Sequence, residues 1–371
     1  LYHLIFIVKI KNNMRVCIIG DSLSSLTLAK ALVNLNIHVT VLYEKKYVKF
    51  NKSRTIGISK TNIDFFNKYI VNIEKLLWKL KKIEIYSNNL KEEKLLNFEN
   101  NSSQLFSILK NYELYNLIEK VLLKNKLFKK KLFSDKNLSI IRDYDFIINC
   151  DYFNNITKKY FYKKIIKKYN SFAYTTTIKH ENILNDTAIQ IFTNKGPLAF
   201  LPISKNETSI VYSVHDLIGK KINIEKLIKE NNFKYKINTI EKIDIFELNS
   251  LNLRSYHHNN ILAFGDLLHK IHPLAGQGFN MTIRDIKTLI NIISDKISLG
   301  LPLDSSVSVE FENFSKHKNF IFSNSIDLIH EFFNFERKTK NTLLSKSIQK
   351  LGKNSSINKM FTKIADKGIV F

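Results

Sequence analysis

One run of residues holds most of the chemistry in this chain: Gly265-Asp266-Leu267-Leu268-His269-Lys270-Ile271-His272-Pro273-Leu274-Ala275-Gly276-Gln277-Gly278-Phe279-Asn280, followed by Arg284-Asp285. The order of its parts matters. A strand delivers Asp266, a turn carries His272-Pro273, and Gly276 and Gly278 flank Gln277 where a helix opens. Glycine permits close backbone approach and positive φ. A helix starting there aims its free N–H groups and its positive end at the loop, so an anionic group is favoured as occupant. A second constellation is Gly20-Asp21-Ser22-Leu23-Ser24-Ser25. A dinucleotide fingerprint would have glycine at 20, 22 and 25, for the tight turn, the approach to the pyrophosphate and helix–strand packing. Only Gly20 is present; Ser22 and Ser25 stand at the other two positions. Serine is small and its hydroxyl can donate to phosphate, but its Cβ restricts backbone approach. The helix N-terminus that follows remains available. Glu44 ends the next strand, where an acid accepts hydrogen bonds from ribose hydroxyls. An acid there indicates a dinucleotide without a 2′-phosphate, which suits FAD as well as NAD.

These residues need particular elements to hold them. Residues 15–19, RVCII, read as a buried parallel strand. Over 22–35 the apolar residues Leu23, Leu26, Ala29, Leu32 and Leu35 share one helical face. A second strand is expected over His38–Leu42, completing a strand–helix–strand unit. Residues 62–82 and 103–124 are helical in pattern, and Tyr144–Asn149 reads as another buried strand. Residues 172–180, 187–192, 197–203 and 208–215 read as short strands of an antiparallel sheet, with a turn at Asn194-Lys195-Gly196. Asn260–Phe264 returns to a buried strand. A helix over about 279–298 places Ile283, Ile286, Leu289, Ile290 and Ile293 on one face. Residues 306–371 look mainly helical, with a basic tail.

Composition narrows the field. The 371 residues are 44% hydrophobic and 25% charged, which does not read as a disordered chain and leaves room for one large or two interlocked domains. The net charge of +25 attracts anionic partners, nucleic acid or lipid headgroups. No paired zinc ligands or aromatic RNA-binding strand accompany it, so nucleic acid is not expected. A drift toward lysine in an AT-rich genome accounts for the charge equally well. Cys17 and Cys150 each sit in an apolar run, VCIIG and FIINC, and read as core residues in a reducing cytosol, not as a disulfide or a metal site. The run LYHLIFIVKI at 1–10 is too short to span a membrane and lacks signal-peptide features. Residues 1–13 read as an extension ahead of Met14.

The pattern GDxxHxxHPxAGQGxNxxxRD over 265–285 resembles the second FAD motif of the ubiquinone-biosynthesis flavin monooxygenases, in the para-hydroxybenzoate-hydroxylase-like superfamily. Ser53-Arg54-Thr55-Ile56-Gly57-Ile58-Ser59 resembles the family segment whose arginine contacts FAD. Gly196-Pro197-Leu198-Ala199-Phe200-Leu201-Pro202 resembles its GPLAxLP strand pair, and Asp145–Asn155 sits where the family has its DG motif. The resemblance spans about 14–335. It implies an α/β fold: a discontinuous Rossmann-like FAD-binding domain (14–70, 101–165 and 251–305), an inserted, mainly antiparallel β-sheet substrate domain (71–100 and 166–250) and C-terminal helices (306–371).

The resemblance also implies roles. Gly20, Ser22, Ser25, Glu44, Arg54, Asp266, Gly276, Gln277, Gly278 and Asn280 are expected to bind FAD, with His272 and Pro273 flanking the flavin ring. No residue is expected to act as a catalytic acid, base or nucleophile, since the flavin carries the chemistry. NAD(P)H is the implied reductant and O2 the oxygen source. The implied substrate is a polyprenylated aromatic ring, and the implied location is cytoplasmic, peripheral on the inner membrane, beside other ubiquinone-biosynthesis proteins. The chain departs from the pattern at Ser22 and Ser25, at Asp151-Tyr152 in place of Asp-Gly, at Leu267-Leu268 in place of two alanines, and in a shorter stretch between Leu114 and Tyr144. These departures leave a second reading open, a degenerate flavoprotein-fold subunit that binds lipid or a biosynthetic complex without hydroxylating. A flavin halogenase is disfavoured, because that branch needs a tryptophan-rich segment and only Trp78 is present.

Overall fold

The computed structural model describes residues 14–44, 52–88, 93–99, 104–132, 143–215, 222–273, 276–339 and 343–352. The extension 1–13, Leu274-Ala275 and the basic tail past Gly352 lie outside the described residues. In chain order the elements are β1 (Arg15–Ile19), α1 (Leu23–Asn34), β2 (His38–Tyr43), β3 (Thr55–Ser59), α2 (Lys60–Tyr69), β4 (Trp78–Leu80), β5 (Lys82–Ser87), β6 (Lys94–Glu99), β7 (Phe106–Lys110), α3 (Asn111–Leu123), β8 (Phe128–Leu132), β9 (Phe146–Asn149) and α4 (Asn155–Tyr160). They continue with β10 (Lys164–His180), β11 (Thr187–Thr193), β12 (Gly196–Pro202), β13 (Glu207–His215), α5 (Ile224–Glu230), β14 (Ile237–Ile240), β15 (Asp244–Leu253), β16 (His257–His258), β17 (Ile261–Ala263), β18 (His269–Lys270), α6 (Gln277–Ser298), α7 (Ser305–Thr339) and α8 (Leu343–Gly352).

Among the described residues, one sheet runs β16-β17-β9-β1-β2-β8. It is parallel except for the β16–β17 pair. The inner strands β1, β2 and β9 are near-continuous apolar runs because helices cover both faces. Their side chains join α1, α3 and α6 in the main core. On α6, Ile283, Ile286, Leu289 and Ile293 are fully buried, as their spacing requires. A second sheet runs β18-β15-β10-β13-β12-β11-β5-β6 and is antiparallel apart from the parallel β11–β5 pair. Gly196 sits at the β11–β12 turn with φ +137, and a Cβ there would lie 2.1 Å from the Ser213 carbonyl oxygen, so only glycine fits. The expected fold class is therefore the observed one: a Rossmann-like α/β part, a mainly antiparallel sheet and a helical C-terminus.

Several boundaries differ from the sequence reading. The expected helix over 62–82 ends at Tyr69, and Trp78–Leu80 and Lys82–Ser87 are strands. Asparagine side chains intervene: Asn67 Oδ1 accepts the Ile73 N–H at 2.9 Å and Asn72 Oδ1 that of Glu74 at 3.0 Å, which takes these donors out of a helical ladder. The expected helix over 103–124 begins only at Asn111, because Phe106–Lys110 pairs with β3 and β4. The strand expected at 172–180 starts eight positions earlier, at Lys164, where β15 offers a partner. The strands β3, β8 and β15 are absent from the sequence reading; their ladders form with residues distant in the chain.

Candidate functional site

Three glycine closures assemble the site. Gly20 leaves β1 with φ +100, and a Cβ there would lie 3.3 Å from Asp151 Cβ. Gly265 has φ +65, and its Cβ would meet Ser24 at 3.0 Å, so the turn after β17 abuts the start of α1. Gly276 has φ +62, and its Cβ would lie 3.2 Å from the Gly57 nitrogen, so the start of α6 closes against β3. The turn after β1, the Asp266 turn and the α6 N-terminus are thus gathered along one side of the parallel sheet, at the carboxyl ends of its strands. That is where open α/β sheets bind ligands.

At the first turn, Ser22 is the N-cap of α1: its Oγ accepts the Ser25 N–H at 3.2 Å and lies 2.9 Å from Ser25 Oγ. The two serines therefore bond to each other, whereas glycines would have left the approach open. Asp266 is exposed on a 3-10 turn, Gly265–Leu267. It lies with Asp151 around Cys150. Burial first of all, and these two carboxylates with it, push the Cys150 thiol up to about 12, against a hydrogen bond with Ser25. Glu44 follows β2 and is half-buried. Nearby, Lys130 of β8 reaches Asp21 at 3.4 Å and Glu119 at 2.6 Å and lies 4.8 Å from the Tyr43 ring centroid. Sequence reading missed this lysine, since nothing marks it among its lysine neighbours.

Arg54 is exposed just ahead of β3. Its position is set by flanking residues: Ser53 Oγ donates to Asp244 at 3.2 Å, and Thr55 Oγ1 donates to Ser209 at 2.9 Å. These bonds pin Arg54 at the seam between β3 and the antiparallel sheet. Asn280 is fully buried and its amide is saturated. Its Oδ1 accepts from Ser59 N at 3.0 Å and Asn62 Nδ2 at 2.8 Å; its Nδ2 donates to Gly57 O at 2.9 Å and Gly276 O at 3.2 Å. The side chain clamps α6 to β3 and α2, and it is spent within the protein.

The loop before α6 is different. Gly276 is the N-cap of α6 in the left-handed conformation, with no side-chain cap. His272 is 1% exposed, and neither ring nitrogen has a hydrogen-bond partner. The buried Gln277 Oε1 also lacks one. Pro273 is half-buried next to them and Gly278 is exposed in the first turn of α6. Buried polar groups without partners are costly, so these atoms favour a ligand or water that would bond them. His272 packs against Tyr169 of β10 and His330 of α7, at centroid distances of 5.0 and 4.4 Å. Burial, with His330 and His215 adding to it, holds His272 well below the ordinary histidine value, so the imidazole is neutral near pH 7. It can donate one hydrogen bond without bringing a charge. The partnership with His330 was not foreseen, because it joins a loop to a helix far along the chain. Also unforeseen was the buried His269–Asp285 hydrogen bond of 2.5 Å, extended by Asn319 to Asp285 at 2.9 Å, which ties β18, α6 and α7 together.

The chemistry of these residues is compatible with a flavin dinucleotide. An uncapped helix N-terminus, unpartnered polar atoms on Gln277 and His272, and an acid on a glycine turn would supply donors and acceptors of the kind such a group requires. Of the substituted residues, Leu267 and Leu268 are fully buried in the main core, and Tyr152 lies at the surface beneath Lys164.

The class follows. Residues 221–298, which carry the Asp266 turn and all of α6, match the FAD binding domain family. In fold the chain is similar to p-nitrophenol 4-monooxygenase from Pseudomonas putida, with a TM-score of 0.77 at 11% identity, covering 96% of this chain and 100% of that one. In sequence it is 29% identical over 167 residues to 3-demethoxyubiquinol 3-hydroxylase of Escherichia coli, covering 42% of each chain. It is 22% identical over 272 residues to the mitochondrial ubiquinone biosynthesis monooxygenase of Schizosaccharomyces pombe, covering 60% of this chain and 57% of that one. The chain thus carries an FAD binding domain segment and is similar, over part of its length, to ring hydroxylases of ubiquinone biosynthesis. It spans about half the length of the curated relatives it matches.

No helix among the described residues is long and apolar enough to cross a membrane. Cys17 and Cys150 are both buried in the main core, as expected.

Proposed function

We propose that the chain is an FAD-dependent monooxygenase that hydroxylates a polyprenylated aromatic ring in ubiquinone biosynthesis, with NAD(P)H as reductant and O2 as oxygen source. The observation that carries this reading is the α6 N-terminus: a left-handed, side-chain-uncapped glycine, with buried unpartnered atoms on Gln277 next to it and on His272 in the preceding loop. The names of the sequence relatives support the substrate class.

In this reading Gly20, Ser22, Ser25 and Asp266 hold the pyrophosphate and ribitol, Glu44 the ribose and Arg54 the phosphates. Gly276, Gln277 and Gly278 line the flavin ring, with Asn280 holding their backbone in place and His272-Pro273 flanking the ring. Bound FAD supplies the activation of O2 for transfer of one oxygen atom to the ring. The protein supplies the rest. The α6 N-terminus, with about half a unit of positive charge, favours negative charge in the ring site. His272 stays neutral and offers a hydrogen bond there. The packing of His272 against Tyr169 and His330 keeps bulk water from that side. No general acid or base is needed in the chain.

A second reading, a flavoprotein-fold subunit without hydroxylase activity, is favoured by the Ser22–Ser25 pair, which removes one backbone donor from the pyrophosphate position. Absorbance of the purified protein decides first: yellow protein, or uptake of added FAD, is expected. Colourless protein that takes up no FAD overturns the assignment. Restored quinone hydroxylation in a strain lacking a ring hydroxylase then excludes the inactive subunit.

A further inference from the structure

Between Asp151 and Tyr169 the chain has six lysines, Lys158, Lys159, Lys163, Lys164, Lys167 and Lys168, and no acid. Over the same stretch it exposes large apolar side chains: Phe153 at 69%, Tyr162 at 63% and Ile166 at 50%, with Ile165 and Tyr152 less so. An isolated exposed apolar residue needs no explanation, but a basic and aromatic cluster of this density does.

The segment is firmly held from behind. Asn154 caps α4 by accepting the Thr157 N–H at 2.8 Å, and it exchanges an amide bond of 2.8 Å with buried Asn149. Thr157 Oγ1 donates to the Asp151 carbonyl at 2.6 Å. Ile156 and Phe161 are in the main core. The backbone is fixed, and the outward residues are apolar or cationic. Beyond α4, residues Lys164–Lys168 of β10 pair with β15 alone, since pairing with β13 begins at Ser171. The start of β10 is therefore an open edge of the antiparallel sheet, a ribbon backed by β15 and then β18, with Ile165 and Ile166 on opposite faces. Lys164 Nζ lies 3.9 Å from the Tyr152 ring centroid, so the loop and the ribbon form one patch. Among the described residues, the acids bonded to this stretch are Asp151, which accepts the Phe153 N–H, and Glu331, which pairs with Lys167 at 3.0 Å. The other five lysines exceed them.

We infer that this face, α4 with the start of β10, docks on an anionic phospholipid surface. Tyrosine and phenylalanine partition into the headgroup boundary, and lysines place their stems on apolar surface with the ammonium at the phosphates. A bilayer also accommodates a patch whose apolar groups project at different heights. A nucleic acid would use the lysines but leave Ile165 and Ile166 unexplained. The inference does not rest on the proposed chemistry, and it is tested without flavin.

The test is flotation of the full chain with vesicles of phosphatidylcholine containing phosphatidylglycerol, against vesicles of phosphatidylcholine alone. Binding is expected on the anionic vesicles and should weaken with salt. Replacing Lys158, Lys163 and Lys168 together by Gln should weaken it on the order of a hundredfold, from about fivefold per lysine at a membrane surface. A Phe153→Trp variant should shift its emission to the blue when anionic vesicles are added, while Trp78 in the parent chain should not respond. Unchanged circular dichroism excludes misfolding of either variant. Equal binding by parent and triple variant, or an emission from the Phe153→Trp variant that vesicles leave unchanged, overturns the proposal. So does tighter binding to single-stranded RNA than to anionic vesicles.

Discussion

Replacing Asn280 by Ala removes the clamp between α6, β3 and α2. The side chain is fully buried and makes four hydrogen bonds, to Ser59 N, Asn62 Nδ2, Gly57 O and Gly276 O. In the variant the Ser59 amide, the Asn62 amide and the Gly57 carbonyl lose this partner inside the core, and water does not reach them. Each buried group left unpaired costs about 1–3 kcal/mol. Relaxation of Asn62 recovers part of this, so the expected loss is about 3–5 kcal/mol, at the upper end for single substitutions. Stability of a typical domain is only about 5–15 kcal/mol, so the variant sits near the edge of folding. Urea unfolding followed by circular dichroism measures the loss. Asn280→Asp is the comparator of equal shape. It keeps the acceptor for Ser59 and Asn62 but turns a carboxylate toward the carbonyl oxygens of Gly57 and Gly276, so it should destabilise at least as much. Retention of FAD should fall in both variants, because the clamp sets the backbone at Gly276. An Asn280→Ala loss under about 1 kcal/mol, or an Asn280→Asp variant as stable as the parent, refutes this reasoning.

Two further outcomes follow from burial. His272 is held well below 6.5, the ordinary histidine value, so below that pH the unfolded chain takes up a proton there that the folded one refuses. Its stabilising contribution is therefore present above about pH 6.5 and is lost as pH falls, with a slope of up to about 1.4 kcal/mol per pH unit. Unfolding free energies from urea titration of the parent should fall more steeply from pH 7 to pH 5, by an extra slope on the order of that value, than those of His272→Phe; identical slopes would show that His272 takes no part. Burial also pushes both thiols up, Cys17 and Cys150 each to about 12. Neither should react with a thiol reagent at neutral pH until denaturant is added, and a rapidly reacting thiol in the folded protein would show that one of these core positions opens.

The parts that were legible in the sequence are those that local physics specifies. The β1-α1-β2 unit showed because a buried parallel strand and an amphipathic helix each leave a periodic trace within a few residues. The turn glycines showed because no other residue takes positive φ at low cost, as at Gly20, Gly265 and Gly276. The stretch 62–82 misled because its apolar spacing suits a helix as well as a short helix followed by two strands; Asn67, Asn72 and the partner strand β7 decided between them. For the candidate site, Asp266, Gly276 and Gln277 were marked by their order along one loop, whereas the saturation of Asn280 and the seclusion of His272 were not.

By itself the sequence determined the class of fold, the presence of a glycine-built turn at each of two helix starts, and the departures at Ser22, Ser25 and Tyr152. Only the tertiary structure decided what those residues do. It turned Ser22 onto Ser25, spent Asn280 on β3, placed Tyr152 at the surface under Lys164, and left His272 and Gln277 with buried atoms lacking partners. The reason is physical: backbone conformation is a local property that residue type controls, while burial and hydrogen-bond partnership belong to groups brought together from distant parts of the chain.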